Sequence, residues 1–340
     1  MTRPLSARLA VWAAVAHLLL VAALLVLFVL IGERWGWAAV LFFSPRALFA
    51  LPWLAITPAL VLVRRPRWLL LQGVTAVLLL GPVMGLQLSG TRATPARAAL
   101  PSVRLLTWNV WFGAGDNDAL ARVLAEQHPD LVVFEAAAHP ADVVLQRAPF
   151  EKFYYLHEDQ FAVASRFPLR VADKGTLVSA PIHRPWVRFE VDSPLGTLQL
   201  FAVHPHSARG ILNLRHGGLR HLLAAGPSGD PEGTLRFLDE QLRETGEAAL
   251  AMGPLTVLAG DFNVPDGGAL LRRRFAGLRD AFAEEGSGFG YTFPVNGRWL
   301  PWMRLDRVLL GAGLQAVHVE VPATAASDHA PLIVDLALRP

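Results

Sequence analysis

Residues 255–263, with the sequence LTVLAGDFN, decide the fold of the downstream part of the chain. The first five of them are apolar or β-branched, which is typical of a short buried strand. A glycine ends this strand, and Asp261 and Asn263 follow it, two positions apart. These two side chains could cap the next segment, or they could point a carboxylate and an amide into a cleft. The pattern therefore predicts a buried strand with a polar edge.

The same pattern, an apolar strand with a polar side chain at its end, recurs along the downstream region. Strands are predicted at 103–109, 130–134, 161–165, 186–191, 197–203, 255–259, 304–310, 318–321 and 330–338. Apolar residues at helical spacing predict helices at 118–127 and 233–251. Strands outnumber helices, and many are apolar on both faces. This favours an α/β fold in which sheets pack on one another with helices outside, rather than a doubly wound sheet.

Three of the polar side chains near strand ends offer oxygen atoms: Asn109, Glu135 and Asp328. Taken singly, each has an ordinary structural explanation, as a turn asparagine, a salt-bridged glutamate or a capping aspartate. A carboxylate at the end of a buried strand is rarely unpaired, so Glu135 is either salt-bridged or bound to a cation. Taken together, three hard oxygen donors form the kind of ligand set that Mg²⁺ or Mn²⁺ prefers.

A second group of side chains suits acid–base chemistry at a phosphorus atom. His329 titrates near neutral pH and could act as a base toward water, with Asp306 as the candidate to orient its other ring nitrogen. Negative charge that develops on phosphorus needs hydrogen-bond donors, which Asn263, His204 and Arg184 could supply. The chain has no cysteine, which excludes thiolate metal sites and cysteine nucleophiles.

Seven short motifs occur in an order that resembles the endonuclease/exonuclease/phosphatase superfamily. They are Thr107-Trp108-Asn109, Pro129-Asp130 running to Glu135, Ser165-Arg166-Phe167-Pro168, His204, Gly260-Asp261-Phe262-Asn263, Leu305-Asp306-Arg307 and Ser327-Asp328-His329. The resemblance covers residues 102–338 and implies a four-layer α/β/β/α sandwich of two mixed sheets. It also implies a phosphodiesterase or phosphatase that works mostly with Mg²⁺.

The resemblance further implies a role for each motif residue. The implied metal ligands are Glu135 as the main ligand, with Asn109 and Asp328, and the implied catalytic residues are His329 paired with Asp306, Asp261 beside the attacking water, Asn263 on the phosphate, and His204 as a second histidine. Arg184 and His206 are further candidates for substrate contacts. One position departs from the family pattern: Phe134 stands where many members have a glutamine before the metal glutamate.

The upstream part of the chain has a different composition. Hydrophobic residues make up 53% of the whole chain and charged residues only 17%, and most of the apolar excess lies before residue 89. Residues 1–89 carry seven of the 31 basic residues and one of the 28 acidic ones, which leaves 24 basic and 27 acidic residues downstream. The downstream region is thus mildly acidic, which disfavours a general nucleic-acid binder with a basic face.

Three uncharged apolar stretches predict a membrane anchor over residues 1–88. They cover residues 9–31, 47–63 and 68–88, and a bilayer core needs roughly 20 apolar residues in a helix. The second stretch is short and contains two prolines, and if it does not cross, the downstream domain lies on the opposite side of the membrane. A cleaved signal peptide is the alternative for the first stretch, but that stretch is longer than the usual apolar core of about 7–15 residues.

The arginines near these stretches predict their orientation. Positive residues favour the cytoplasmic side, and they precede the first stretch at Arg3 and Arg8 and follow the second at 64–67. Three crossings then place the downstream domain, residues 102–340, on the extracytoplasmic side, after a linker at 89–101 rich in Ala, Thr, Arg and Pro. The arrangement resembles a membrane-anchored bacterial subgroup that includes a teicoplanin-resistance membrane protein.

The function that these observations favour is a multi-pass membrane phosphoesterase at the outer face of the cell membrane. Its substrate is expected to be a phosphate ester, phosphodiester or diphosphate, and a lipid-linked one would explain the short tether to the bilayer. Apolar residues such as Trp299, Trp302 and Met303 could meet a lipid tail or simply pack on the domain. An extracytoplasmic endonuclease or exonuclease is the first alternative, and a non-catalytic binding domain is the second.

Overall fold

The computed structural model describes residues 5–88, 100–111, 116–137, 143–146, 149–179, 183–208, 211, 230–295 and 300–340. The chain forms two units. The helical unit consists of Met1–Leu86, Gly210–Glu232 and Pro265–Ala269, and the α/β unit consists of Gln87–Arg209, Gly233–Val264 and Leu270–Pro340. The predicted linker at 89–101 lies outside the described residues except for its last two positions.

The α/β unit contains two six-stranded mixed sheets. The first sheet has the strand order β13-β14-β2-β3-β5-β4 and the second has the order β10-β12-β9-β8-β7-β6, while β1 pairs only with β11. The strands are β1 (Gln87–Leu88), β2 (Val103–Asn109), β3 (Leu131–Glu135), β4 (Tyr154–Glu158), β5 (Phe161–Ser165), β6 (Leu169–Lys174), β7 (Trp186–Ser193), β8 (Gly196–Val203), β9 (Thr256–Asp261), β10 (Arg279–Asp280), β11 (Ser287–Gly288), β12 (Asp306–Leu310), β13 (Leu314–Glu320) and β14 (Leu332–Leu338). The prediction of two mixed sheets is confirmed.

Apolar residues fill the space between the two sheets and cover their outer faces. Alternate residues of β2, such as Val103 and Leu105, share one buried cluster with Phe189 and Leu200 of the second sheet. The residues of opposite parity in the first sheet join a second cluster with Leu120 of an outer helix. This alternation is what a strand buried on both faces requires. It explains why these strands are continuous apolar runs in the sequence.

The sheets are accompanied by helices: the helix with Leu120 covers the outer face of the first sheet, and the helix with Phe282 joins the cluster between the sheets. In the α/β unit these helices are α5 (Asn117–Gln127), the greater part of α6 (Pro231–Leu250), most of α7 (Ala269–Arg274) and α8 (Ala281–Glu285). Five strands were not predicted from the sequence: β4 and β6, which lie at the edges of the two sheets, and the two-residue strands β1, β10 and β11. β6 is largely exposed, so it has no apolar alternation that could reveal it.

The strand register gathers polar residues at one edge of each sheet. In the parallel pair β2–β3, Asn109 lies opposite Glu135. In the antiparallel pair β9–β12, Asp261 lies opposite Asp306. In the parallel pair β8–β9, Val203 lies opposite Gly260, so the next residue of each strand extends past the same edge. Residues far apart in sequence are therefore brought together by backbone pairing alone.

The described residues of the helical unit before Leu86 form four α-helices joined by short helical turns. The α-helices are α1 (Leu5–Leu30), α2 (Gly36–Phe43), α3 (Leu51–Leu62) and α4 (Leu69–Leu78), joined by 3₁₀ turns at Gly32–Arg34, Arg46–Ala50 and Pro66–Trp68, with a π-helical turn at Leu79–Val83. Packing of Leu60 of α3 against Ala10 and Ala14 of α1 ties the end of one helix to the start of another.

Among the described residues of this unit, two helical segments are long and apolar enough to cross a membrane, Leu5–Leu30 and Pro66–Val83. Gly36–Phe43 and Arg46–Leu62 form a pair bent by 84°, which would be a third crossing if the pair is one broken span. The last helical turn ends at Val83, before the predicted limit of Leu88, in a segment with Pro82 inside it and Gly85 at a φ of 84° after it. A glycine at positive φ is a common helix terminator.

A buried arginine organises the end of the helical unit that contains Val83. Arg46 is 4% exposed, and its guanidinium donates hydrogen bonds to the backbone oxygens of Phe42, Val83 and Asp266. Glu33, also buried, accepts a hydrogen bond from the backbone amide of Ala269. The segment Pro265–Ala269, which follows the GDFN motif in the sequence, is thus held by side chains of the helical unit.

Candidate active site

The turn after β9 is shaped by one glycine and one strained asparagine. A Cβ atom on Gly260 would lie 2.0 Å from the backbone oxygen of Val203, so the close approach of β8 requires glycine here. Asp261 Oδ1 accepts a hydrogen bond of 2.8 Å from the backbone amide of Asn263, which adopts a φ of 54°. The Asn263 side chain donates to the backbone oxygen of Pro205 at 2.9 Å. Both side chains are fully buried and their directions are fixed.

The other oxygen of Asp261 lies at the centre of the site. Asn109 Nδ2 donates a hydrogen bond of 3.1 Å to Asp261 Oδ2. The same oxygen is 3.6 Å from His329 Nε2 and 3.7 Å from His204 Nε2. Two imidazoles therefore face one carboxylate oxygen from different strand ends. The two distances from the histidines to the carboxylate, 3.6 and 3.7 Å, are longer than direct hydrogen bonds. They suit groups that bind one further oxygen atom between them.

His329 is held by a carboxylate. Its Nδ1 atom is 2.8 Å from Asp306 Oδ2, and both side chains are completely buried. The ring of Phe293 packs against the imidazole with 4.8 Å between centroids, and Trp108 Nε1 donates to the backbone oxygen of His329. An aspartate on Nδ1 fixes the tautomer that leaves Nε2 toward Asp261, and it stabilises the imidazolium when Nε2 takes a proton.

His204 is held by an amide instead. Its Nδ1 atom is 2.6 Å from Gln160 Oε1. The Gln160 amide group donates to the backbone oxygens of Arg184 and His204, so its oxygen is left to accept. The proton therefore lies on His204 Nδ1, and Nε2 faces Asn109 Nδ2 at 3.4 Å. Gln160 was not predicted as a site residue, because the sequence around it shows only a polar residue before a strand.

Glu135 is buried without a cationic partner among the described residues. Its Oε1 atom accepts a hydrogen bond of 2.5 Å from the Thr107 hydroxyl, and its Oε2 atom has no hydrogen-bond partner there. Burial raises the pKa of the Glu135 carboxyl well above its ordinary value, and the charges of Asp306 and Asp261 raise it further. Three carboxylates so close together in a dry interior are typical of a site that holds a cation.

The structure pairs Asn109 with Glu135 and joins the residue before Asp328 to Asn109. Asn109 lies opposite Glu135 in the β2–β3 register, and its Oδ1 accepts a hydrogen bond from the backbone amide of Trp111 at 3.1 Å. Asp328 is half-buried. The hydroxyl of Ser327, the residue before it, donates a hydrogen bond of 2.7 Å to the backbone oxygen of Asn109. Hard oxygen donors and an orphaned, buried carboxylate oxygen fit a divalent cation.

A second arrangement that could hold a metal ion comprises Asp261, Asp306 and His329. Each offers one ligand atom, and these atoms lie within 4.8 Å of one another. Since the 2.8 Å contact between Asp306 and His329 Nδ1 already engages two members, the simpler description of this group is a histidine–aspartate pair that faces the carboxylate of Asp261.

Two predicted substrate contacts point elsewhere. The guanidinium of Arg184 donates to the backbone oxygen of Gly175 and lies 3.7 Å from Asp159 Oδ2. The imidazole of His206 packs against Phe237, and burial lowers its pKa. The described contacts bring neither side chain to Asp261. Arg184 contributes through its backbone oxygen, which helps to hold Gln160.

Three residues that the sequence does not single out, Thr107, Gln160 and Ser327, make hydrogen bonds to predicted site residues. Thr107 and Ser327 lie inside two of the seven motifs, but the resemblance implies no role for them. Gln160 lies outside all seven motifs. Phe134, where many relatives of this pattern have glutamine, is fully buried and packs edge-on against Trp108. It is therefore a core residue, and the hydrogen bond to the Glu135 side chain comes from Thr107.

Comparison with known proteins gives one family and a set of similar folds. Residues 106–329 match the profile of the Endonuclease/Exonuclease/phosphatase family. Among solved structures, humanized D. rerio TDP2 with 14 mutations is 17% identical with a TM-score of 0.52, over 69% of this chain and 98% of that one. An endonuclease/exonuclease/phosphatase family protein from Bacteroides thetaiotaomicron is 14% identical with a TM-score of 0.50, over 70% and 98%.

A third solved structure, D. rerio TDP2 complexed with single strand DNA product, is 16% identical with a TM-score of 0.51, over 69% of this chain and 98% of that one. At these identities the likeness shows the fold alone. No curated protein sequence matches the chain.

Proposed function

Because the chain belongs to the Endonuclease/Exonuclease/phosphatase family, we propose that it is a membrane-anchored, metal-dependent phosphoesterase. The proposed reaction is the hydrolysis of a phosphate ester, phosphodiester or diphosphate, with a lipid-linked substrate favoured. The observation that carries this proposal is the position of Asp261 Oδ2, which two histidines of fixed tautomer and one asparagine face together. A structural ion pair would not need this convergence, because either histidine alone would satisfy the carboxylate.

The residues that would hold the metal are Glu135, Asn109 and Asp328. When bound, a divalent cation would polarise a phosphoryl oxygen and offset the charge of the buried carboxylates. Mg²⁺ is the proposed ion and Mn²⁺ the alternative, since all the donors are oxygen atoms. Glu135 is proposed as the main ligand because its Oε2 atom is buried and has no protein partner among the described residues.

The protein's own groups supply the acid–base chemistry in this proposal. Asp261 positions the attacking water, and His329 takes or shares its proton at Nε2 while Asp306 stabilises the imidazolium. The Asn109 amide and the imidazolium form of His204, which carries a proton on Nε2 as well as on Nδ1, would donate to the phosphate oxygens as charge develops. Asn263, whose amide is anchored on Pro205, completes the phosphate pocket.

Apolar groups beside the site favour a substrate with a hydrocarbon part. Trp111, whose backbone amide is bonded to Asn109, is 43% exposed. Leu300 is 88% exposed and lies two residues before Trp302, which packs on the same Phe293 ring that covers His329. Trp299 lies outside the described residues. Exposed apolar side chains next to a polar cleft are typical of binding sites for amphipathic ligands.

The proposed location is the outer face of a cell membrane, with the helical unit as a multi-pass anchor. Support comes from within that unit, where Arg8 at the start of α1 lines one cavity with Arg65 and Arg67. Two crossings separate Arg8 from Arg65 and Arg67, so all three arginines would lie at the same end of the helical unit. Because positive residues favour the cytoplasmic side, this end would be the cytoplasmic one. A reporter fused after Pro340 that is active only in the cytoplasm would contradict this orientation.

The substrate class can be tested on the full-length protein in detergent micelles. The panel would contain a polyprenyl diphosphate, a choline phosphodiester lipid, an inositol phosphate and single-stranded DNA, each with Mg²⁺, Mn²⁺ or EDTA. We expect metal-dependent phosphate or headgroup release from a lipid substrate. Cleavage of DNA alone would instead support the nuclease alternative and end the lipid proposal. Absence of turnover on every substrate, with Glu135→Gln identical to wild type, would support a binding domain.

We further propose that the chain belongs to a membrane-anchored bacterial subgroup that includes a teicoplanin-resistance membrane protein. The support for this proposal is the order of the two regions, apolar helices followed by the family domain. The polyprenyl diphosphate would then be the first substrate to test within the lipid panel.

A further inference from the structure

The helical unit contains a cavity of about 430 Å³ that the phosphoesterase proposal does not use. It lies at the start of α1 and at the turn between α3 and α4, and its polar lining consists of Arg8, Arg65 and Arg67. Trp12 and Trp68 form part of the same wall. Residues almost 60 positions apart in the sequence are therefore gathered around one space.

The charges of this cavity are not balanced by nearby acids. No carboxylate among the described residues lies within ion-pair distance of these three guanidinium groups. Behind the cavity, α1 and α3 are tied together by the packing of Ala10, Ala14 and Leu60, so the lining is supported. A supported cluster of three unpaired guanidinium groups is a site for an anion, since each can donate two parallel hydrogen bonds to phosphate oxygens.

The apolar part of the wall identifies the kind of anion. Val11 and Val15 line the cavity on α1, which is long and apolar enough to cross a membrane. Trp12 is 70% exposed, and indole rings settle at the headgroup level of a bilayer. A free phosphate ion would need only the guanidinium groups, whereas a phospholipid would use the arginines for its headgroup and the valines for its acyl chains.

We propose that this cavity binds the phosphate headgroup of an anionic phospholipid in the leaflet at the arginine end of the helical unit. The proposal rests on insertion of the helical unit in a membrane and is independent of any activity at Asp261. Arg64 provides a matched control, because it is an exposed arginine of the same turn that does not line the cavity. General attraction to an anionic surface would act on Arg64 and Arg65 alike.

The test is lipid titration of the full-length protein, followed by native mass spectrometry. The probes are phosphatidylglycerol and phosphatidylcholine with the same acyl chains, and inorganic phosphate. We expect wild type to bind the first phosphatidylglycerol at least about tenfold more tightly than phosphatidylcholine, the effect of one charge-assisted contact. Arg65→Gln/Arg67→Gln should remove this preference and Arg64→Gln should keep it.

Three results would overturn the proposal: no preference in wild type, equal losses in Arg64→Gln and the double variant, or displacement of the lipid by an equal concentration of inorganic phosphate. Arg65→Lys/Arg67→Lys should restore part of the preference, because lysine keeps the charge but not the paired donors. If the double variant does not fold, Arg8→Gln alone should still weaken the preference, and failure to do so would count against the site.

Discussion

The two units treat their buried charged groups in opposite ways. In the helical unit, Arg46 is 4% exposed and its guanidinium reaches three backbone oxygens and lies over the rings of Phe28 and Phe42. In the α/β unit, Glu135 is fully buried, yet one of its two oxygens has no hydrogen-bond partner among the described residues. The first charge is satisfied by the fold, and the second requires something that the fold does not provide.

This difference separates stability from function. A buried polar group without partners costs free energy, and sites that are arranged for chemistry tolerate that cost. Arg46 should therefore affect folding, and the cluster around Glu135 should affect activity. The comparison fails if substitutions in the two places have the same consequences.

The largest effect is expected from His329→Asn. This change removes the imidazole that faces Asp261 and is held by Asp306. Loss of a general base lowers turnover by about 10²–10⁴-fold. The measurement is kcat of the full-length protein on a chromogenic phosphodiester with saturating Mg²⁺. His318→Asn is the matched control, since His318 is exposed on β13. A loss of less than tenfold for His329→Asn would mean that this pair is structural.

Glu135→Gln is the next largest change and should affect activity and stability in opposite directions. The amide keeps the shape and a hydrogen bond with Thr107 but cannot offer a charged oxygen. We expect the Mg²⁺ concentration for half-maximal activity to rise by about 100-fold or more, because even groups that only orient ligands change metal affinity by 10–100-fold. The unfolding temperature in EDTA should rise, because an uncompensated buried charge is removed.

The pH dependence of metal-free stability checks the same substitution. The pKa of Glu135 is raised in the folded protein, so its protonated form is favoured there relative to the unfolded chain, where the pKa is about 4.3. This contribution to stability is fully present below pH of about 4.3 and is lost as pH rises through the folded pKa. Glu135→Gln should remove this loss, and Glu126→Gln, on an exposed surface of α5, should not. Identical pH profiles for wild type and Glu135→Gln would refute the buried carboxylate.

Much of the fold could be predicted because the two-sided burial of its strands appears directly in the sequence. β2, β5 and β14 are apolar runs, and each was predicted to within two residues. β6 could not be predicted, since its exposed residues show no alternation and only pairing with β7 defines it. The GDFN turn was predictable as a turn, but the need for glycine became clear only from the approach of Val203.

The site could be predicted at the level of its chemical groups but not of their supports. Residues such as Glu135 and His329 stand out because a polar side chain at the end of an apolar strand is unusual. Gln160 reaches His204 across 44 residues, and no local pattern reports such a contact. Arg184 was a reasonable phosphate contact by residue type, and the structure places its guanidinium on Gly175 and Asp159 instead.

Arg46→Met tests the other half of the comparison. The change keeps an apolar stem but leaves the oxygens of Val83 and Asp266 without this donor. We expect a loss of about 2–4 kcal/mol in the free energy of unfolding, since buried unsatisfied groups cost about 1–3 kcal/mol each. Unfolding in detergent would be followed by circular dichroism. Arg34→Met is the control, because Arg34 is exposed. Equal stability of the two variants would show that the Arg46 contacts do not support the fold.

The smallest effect is expected from Gln160→Leu, which leaves His204 in place but removes the acceptor for its Nδ1 proton. Turnover should fall by about tenfold, which corresponds to one orienting hydrogen bond. Gln160→Glu sharpens the comparison, since His204 would then have a carboxylate partner as His329 has. A carboxylate stabilises the imidazolium, so the pKa of His204 should rise, and the basic limb of the pH–rate profile, where the imidazolium loses its proton, should move to higher pH. An unchanged profile, with turnover intact in both variants, would show that His204 only fills space beside Asp261 and that His329 carries the chemistry alone.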